Sequence, residues 1–417
     1  MLLPIPHHPF LLIALFSLLS LLMRVAPVLS SSGPIPPEPP PEDSPRICPL
    51  PKCKRCPTAE QILAPGVGFA LEMGYGTAAI RLHDGKYQTI TRIDGTPSYA
   101  LLLRRLATGP QNRIPDHIPS TWGKLRYLQK RAQRVLNKSL GWPATPETAV
   151  LADLISMLKV ETAAALGNGQ QVTRAVLSSP DRIKLAGEEI TDVFDYLGIR
   201  NLMAEPDTLE DLYATSSAYA GFGMGLCERY TDPYACEREE SHFPTQWLLH
   251  LDFAPDNLSG VIMGLNSVKG GSVKEAFIDL ELGLGRLDGP NKKPGLEPEV
   301  YWAAVTDRIR TPAQSFSLQI TQLILTGSSA SDPRFKAAVK DALGGLVAEG
   351  TLKALDEEGK DSKEKKNKNL DLVFATAKGA AEFAKRRQEG PVRCVEREEC
   401  KRARERLGQE ETEAREL

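Results

Sequence analysis

The sequence predicts an α/β protein of two lobes, and three observations carry that expectation. "ALEMGYGTAAIRL", residues 70–82, reads as strand, glycine-bearing turn and strand. The same pattern returns at residue 246, where "QWLLHLDF" is followed by a turn and "SGVIMGLN". A buried strand, "LQITQLILTG", then runs into serines and a helix. Two hairpins, each opening its own series of strands and helices, mark two lobes packed over a sizeable core, for which 417 residues leave room.

The elements follow in order. Phe10 to Met23 is an uninterrupted apolar run of signal-sequence length, and reading on through Arg24 to Leu29 gives enough for a membrane anchor. Residues 1–30 are therefore expected to be a signal peptide or signal anchor, leading into the secretory pathway. Residues 31–64 are proline-rich and read as an extended linker. The first lobe covers 65–246. "VGFALEM", "AAIRLHD" and "YQTITRI" are its opening strands, and "DGTPSY" is a turn. "WGKLRYLQKRAQRVLNKSLG" is a basic helix whose charges read as a solvated face. Thr145 and Pro146 start the next helix and Gly167 ends it, with Leu151, Leu154, Ile155 and Leu158 facing a core. "QQVTRAVLSS" is a strand, and Ile190, Val193, Phe194 and Leu197 line one side of the helix after it.

The second lobe covers 247–390. After the hairpin, residues 266–317 look less regular, apart from a helix around "PEVYWAAVTDRI". Asp332 and Pro333 open the helix that follows "LILTGSS". "DEEGKDSKEKKNKN" has no apolar anchors and is expected to be disordered, and "VFATAKGAAEFAKRRQ" closes the lobe as a helix. Residues 391–417 read as a charged tail.

Composition narrows the function. A net charge of −2 gives no reason to expect nucleic acid as partner. The seven cysteines fit an oxidising compartment, with Cys227–Cys236 and Cys394–Cys400 expected as short-range disulfides. Cys48, Cys53 and Cys56 have a zinc-like spacing but lack a nearby fourth ligand. Asn137 and Asn257 stand in glycosylation triplets. The histidines are scattered and assemble no triad.

The order of elements over roughly residues 66–390 resembles the actin-like ATPase superfamily. Within it, the sequence is similar to the nucleotide-binding domain of the seventy-kilodalton heat-shock chaperones. That resemblance implies duplicated ribonuclease-H-like lobes around a central cleft, with ATP or ADP and magnesium between them. The family's first phosphate hairpin, D-L-G-T-T, matches Glu72, Met73, Gly74, Tyr75 and Gly76, followed by Thr77. Its second, D-L-G-G-G-T, is "DFAPDN" here: Asp252 remains as a candidate magnesium carboxylate, and glycines give way to Ala254, Pro255 and Asp256. "ILTGSSASDPRF" resembles the adenosine motif, with Gly327, Ser328 and Ser329 in place. "LYATSSAYAGFGMGL" resembles the segment linking the lobes, without its glutamate and proline, and "ATAKGAAEFAKR" resembles the closing helix.

These departures imply a chaperone-like protein with a degenerate nucleotide site and little or no ATP hydrolysis, a pseudoenzyme. Pro255 offers no N–H to a phosphate and Asp256 adds a like charge. Glu72 and Asp252 are the catalytic candidates for the alternative, an active ATPase. A third reading is a non-catalytic interaction scaffold. After Gly390 the sequence shows only a charged, cysteine-bearing stretch where full chaperones carry a peptide-binding domain. A client or co-chaperone is therefore expected to meet another surface, and residues 10–29 are expected to reach a membrane if retained.

Overall fold

Two β-sheets built to one plan organise the chain. In the computed structural model, residues 49–109 and 121–416 are described, with short breaks at 168, 184, 186, 206–207, 210, 290–291, 349, 353–354 and 356–361. The expected leader, most of the linker, Cys48 and the start of the expected disordered stretch lie outside these residues. The chain divides into Met1–Pro49 and Leu50–Leu417, and every strand and helix described belongs to the second unit.

Strands β1 (Gly66–Leu71), β2 (Tyr75–Arg81) and β3 (Tyr87–Asp94) form an antiparallel meander. β4 (Arg174–Ser179) then returns parallel to β1, and β5 (Arg200–Asn201) lies parallel to β4, giving the order β3-β2-β1-β4-β5. A short ribbon, β6 (Ala204–Glu205) with β7 (Thr208–Leu209), precedes β8 (Leu212–Tyr213), which also pairs with β4. The second sheet repeats the scheme. β9 (Gln246–Phe253), β10 (Leu258–Ser267) and β11 (Gly270–Asp279) are antiparallel, and β12 (Gln322–Thr326) is parallel to β9, in the order β11-β10-β9-β12.

Helices fill the connections. α1 (Ala59–Leu63), α2 (Pro97–Thr108), α3 (Thr121–Ser139), α4 (Pro146–Leu166) and α5 (Gly187–Tyr196) belong to the first half of the chain. They are followed by α6 (Ala214–Gly221), α7 (Pro233–Ser241), α8 (Pro298–Ser315), α9 (Pro333–Leu343), α10 (Ser362–Glu389) and α11 (Glu398–Glu416). Their starts are written in the sequence. Thr96, Thr145 and Asp332 each cap a helix through the side-chain oxygen, with proline in the next position. "DGTPSY" is thus a turn whose Thr96 opens α2.

Three large apolar cores result. One packs α2, α4 and α5 on the first sheet around Phe69, Leu103, Ile155 and Phe194. A second packs α8 and α9 on the second sheet around Phe253, Tyr301, Ile309 and Phe335. The third joins the halves: Val176 of β4, Leu248 of β9 and Ile324 of β12 meet Tyr219 of α6 and Ala375 and Ala384 of α10. α6 and α10 are therefore the shared central layer, with a sheet on either side.

Several expectations are corrected. Residues 362–369 are the first turns of α10 rather than disordered. β11 appears where irregular chain was expected, because this edge strand is mostly exposed and carries no apolar alternation to read. Cys394 does not pair with Cys400: the bonds are Cys53–Cys394 and Cys56–Cys400, while Cys227–Cys236 forms as expected. Those bonds consume Cys53 and Cys56, which removes the zinc reading. They also hold residues 50–64, expected as linker, and residues 394–416, expected as tail, against each other, helped by a bridge between Lys52 and Val395. Lys385, buried in α10, donates to the carbonyls of Ile62 and Ala64 and pairs with Glu389, which fixes α1 as well.

Finally, α3 turns charge inward. Arg134 pairs with Glu188 and Asp192, and Lys138 with Asp192 and Asp195, all on α5. The solvated charged face expected for this helix is partly its docking face. The disulfides suit an oxidising, secretory-type compartment, and no helix among the described residues is long and apolar enough to cross a membrane.

Candidate functional site

β1, β4 and β9 deliver four titratable side chains to one buried place, and β12 adds Thr326. Glu72 follows β1, Asp181 follows β4, and His250 and Asp252 alternate on β9, so both point to the same face. Glu72, Asp252 and His250 are buried, and with Asp181 and Asn257 they line a narrow cavity with room for about one water molecule.

Asp181, Thr215, His250, Thr326 and Asp252 make one continuous chain of hydrogen bonds across the two halves. The Thr215 hydroxyl donates to Asp181 Oδ2 at 2.8 Å and lies 2.8 Å from His250 Nδ1. His250 Nε2 lies 2.8 Å from Thr326 Oγ1, which is 3.1 Å from Asp252 Oδ2. The chain thus has four links. The two hydroxyls and a neutral imidazole supply only three hydrogens to fill them. All four are satisfied when one carboxyl holds a proton. If Asp252 holds it, Nδ1 carries the imidazole hydrogen; if Asp181 holds it, Nε2 does. The imidazole tautomer therefore reports which end is protonated.

The electrostatics favour that extra proton. Burial, and then the facing Asp252 carboxylate, push the Glu72 carboxyl well above its ordinary range, against a hydrogen bond from the Thr376 hydroxyl. Burial raises Asp252, opposed by hydrogen bonds from Asn257 and Thr326. Asp181 is pushed up to about 6 by burial, despite the Thr215 hydroxyl and N–H. His250 is pushed down to about 4 by burial, so it is neutral at ordinary pH.

A stability profile follows. Asp181 binds its proton more tightly folded than unfolded, where its value is about 3.9. The stability it contributes is full below about pH 4 and is lost as pH rises through about 6. His250 acts oppositely, losing stability as pH falls from about 6.5 towards 4. Asp181→Asn keeps an acceptor for Thr215 and removes the first effect, together with a lesser charge that helps to raise Glu72. Relative to the parent, the variant is expected to gain up to about 3 kcal/mol between pH 4 and pH 8, measured by urea unfolding. An unchanged difference across that range would refute it.

The residues singled out in sequence gather here. Gly74 is at the first hairpin tip, and a Cβ placed on it would stand 2.0 Å from Asp256 Oδ2, so the two hairpin turns touch. Tyr75 is 1% exposed, with Arg92 stacked 4.3 Å from its ring centre. Its hydroxyl lies beside the Ser328 backbone without a hydrogen bond of good geometry among the described residues. Tyr99 donates to the Glu72 carbonyl and is likewise buried.

Gly76 faces Leu154 and Leu158 of α4, away from the turn contact. Thr77 is buried and Ser328 half-buried, each with a buried hydroxyl that has no partner among the described residues, and the Ser329 N–H donates to the Phe253 carbonyl. Gly327 has φ +104° and lies against Phe253 O and Asp252 Oδ2, where any side chain would collide. Asn257 is buried and donates to Asp252, so its triplet cannot carry a glycan in the folded protein.

Sequence reading missed Asp181 and His250. The spacing of His250 and Asp252 on an apolar strand was the available sign, since a polar pair on one face of a buried strand must find partners. Asp181 gave none, because β4 brings it in only through pairing with β1.

The donors suit some ligands and not others. Glu72, Asp181, Asp252 and Asn257 line the cavity with oxygen ligands of the type magnesium takes, but the three carboxylates do not converge within 4.8 Å of one another as one ion would require. The Gly74–Asp256 contact and the buried Tyr75 take up part of the space between the turns, and beside them Met73, Arg104, Pro255, Asp256 and Arg286 line a cavity of about 160 Å³ in which Asp256 faces two arginines. No known family model matches the chain, and no curated protein matches it.

Proposed function

We propose that this is a chaperone-like protein on an actin-type, two-lobed scaffold, working in the secretory pathway by binding a partner protein rather than by turning over ATP. The observation that carries the reading is the contact of the two hairpin turns, Gly74 against Asp256, with Tyr75 buried beside Ser328. Phosphoryl transfer depends on positioned donors around the phosphates. Here that position holds a proline, a carboxylate and a phenol ring. The repeated strand order of the two sheets supports the scaffold, and the three disulfides support the compartment.

Calorimetric titration of the full chain with Mg-ATP and Mg-ADP, paired with a phosphate-release assay, tests the reading. Turnover is expected to be undetectable and binding weak or absent. Tyr75→Thr combined with Asp256→Gly is expected to strengthen nucleotide binding by reopening the space. Turnover at ordinary chaperone-like rates that disappears in Asp252→Asn would overturn the proposal in favour of an active ATPase.

A further inference from the structure

Helix α3 is amphipathic and docked the wrong way round for a core helix. At 100° per residue, Leu125, Leu128, Val135 and Leu136 share an arc of about 100°, and the basic residues occupy the rest. The side turned to the protein is the basic one, through Arg134 and Lys138 to the acids of α5. The apolar side faces solvent: Leu125 is 57% exposed, Leu128 53%, Val135 60% and Leu136 57%. Trp142, just past the helix end, is 61% exposed. Four large apolar side chains in one continuous stripe are not scattered surface residues, and such a stripe marks an interaction site.

The charges indicate what covers it. Residues 121–139 contain no Asp or Glu, and of the exposed cations Arg126 lies beyond one edge of the stripe, Arg131 beyond the other and Lys130 on the far side of the helix. A second copy packed on this face would set cations against cations along both edges, which disfavours a homodimer. An anionic lipid surface complements the pattern: the apolar stripe enters the acyl boundary, the Lys and Arg stems snorkel to the headgroups, and Trp142 sits at the interface. The same sequence carries the apolar run of residues 10–29, which if retained already brings the chain to a bilayer. We infer that α3 is a membrane-surface helix that lays its Leu125–Leu136 stripe on anionic lipid. The inference stands apart from the nucleotide reading and does not depend on it.

The test uses the full chain with phosphatidylcholine vesicles, with and without phosphatidylserine, read by hydrogen exchange over residues 121–142. A local readout is needed because residues 10–29 can attach the chain to both vesicles alike. Protection of α3 is expected only with phosphatidylserine. Replacing Arg126, Lys130 and Arg131 by Gln is expected to raise the lipid concentration for half protection on the order of a hundredfold. Leu128→Gln with Val135→Gln and Leu136→Gln is expected to abolish protection without lowering the melting temperature, since all three are exposed. Equal protection on both vesicles, no protection on either, or protection that rises with protein concentration alone would each overturn the inference. The last result would assign the stripe to a protein partner.

Discussion

Loss of both bonds between the segment 53–56 and the segment 394–400 is expected to cost the fold about 9 kcal/mol, and loss of either one only about 3. Each bond spans more than 340 residues, 341 for Cys53–Cys394 and 344 for Cys56–Cys400. In the unfolded chain, the first bond to close removes the entropy of a very long loop, worth about 6 kcal/mol on the logarithmic law. The second closes only the small ring running through both short segments, worth about 3. Whichever bond is deleted, the other still closes the long loop. The bonds therefore stand in for each other, and the double loss exceeds the sum of the single losses.

Cys→Ser variants of each pair and of both, compared with the parent by guanidinium unfolding, measure the three losses. Additive losses would show that the bonds act through native contacts instead. The comparison bears on compartment too. A reducing environment removes both bonds together, leaving the bridge between Lys52 and Val395 and the hydrogen bonds of Lys385 to hold residues 50–64 in place.

What the sequence reveals is what local chemistry writes. β9 reads as a strand over its full length because "QWLLHLDF" is apolar enough to be buried on both faces, and Thr145 and Asp332 announce their helices by capping and proline. β11 stays hidden because an exposed edge needs no apolar pattern. Long-range choices are also silent. Cys394 has Cys400 six positions away and bonds to Cys53 instead, because the chain termini of the folded unit meet there. The amphipathic pattern of α3 is legible, but its direction is not, since Asp192 and Asp195 on α5 decide which side turns in. The site divides in the same way. Glu72 and Asp252 stand at recognisable hairpin tips, whereas Asp181 and Thr215 join only through the fold.

Gly379→Ala is expected to destabilise the protein on the order of 5 kcal/mol, above the usual range for an overpacked core. Gly379 lies where α10 crosses α6 in the central layer. A Cβ there would stand 1.7 Å from the Ser217 carbonyl oxygen and 3.0 Å from the Gly221 nitrogen, both main-chain atoms of α6. Gly221 answers it: its own Cβ would meet Ala375 O at 2.0 Å. No rotamer change relieves a contact between a Cβ and a backbone, so α10 has to move away from α6. The first sheet lies on its other side, and the third core fills the remaining space.

The site should feel the shift first. Ser217 Oγ donates to Thr376 O at 2.7 Å, and the Thr376 hydroxyl is the group that tempers the raised Glu72 carboxyl. Pushing α10 outward lengthens that bond and leaves Glu72 more strongly protonated. Thermal unfolding measures the first effect, and infrared titration of the buried carboxyls measures the second. Gly379→Ala that melts like the parent would mean that the two helices are not held at this spacing. A lowered melting temperature with unchanged carboxyl titration would instead separate the crossing from the site, and α10 would then be a structural brace alone.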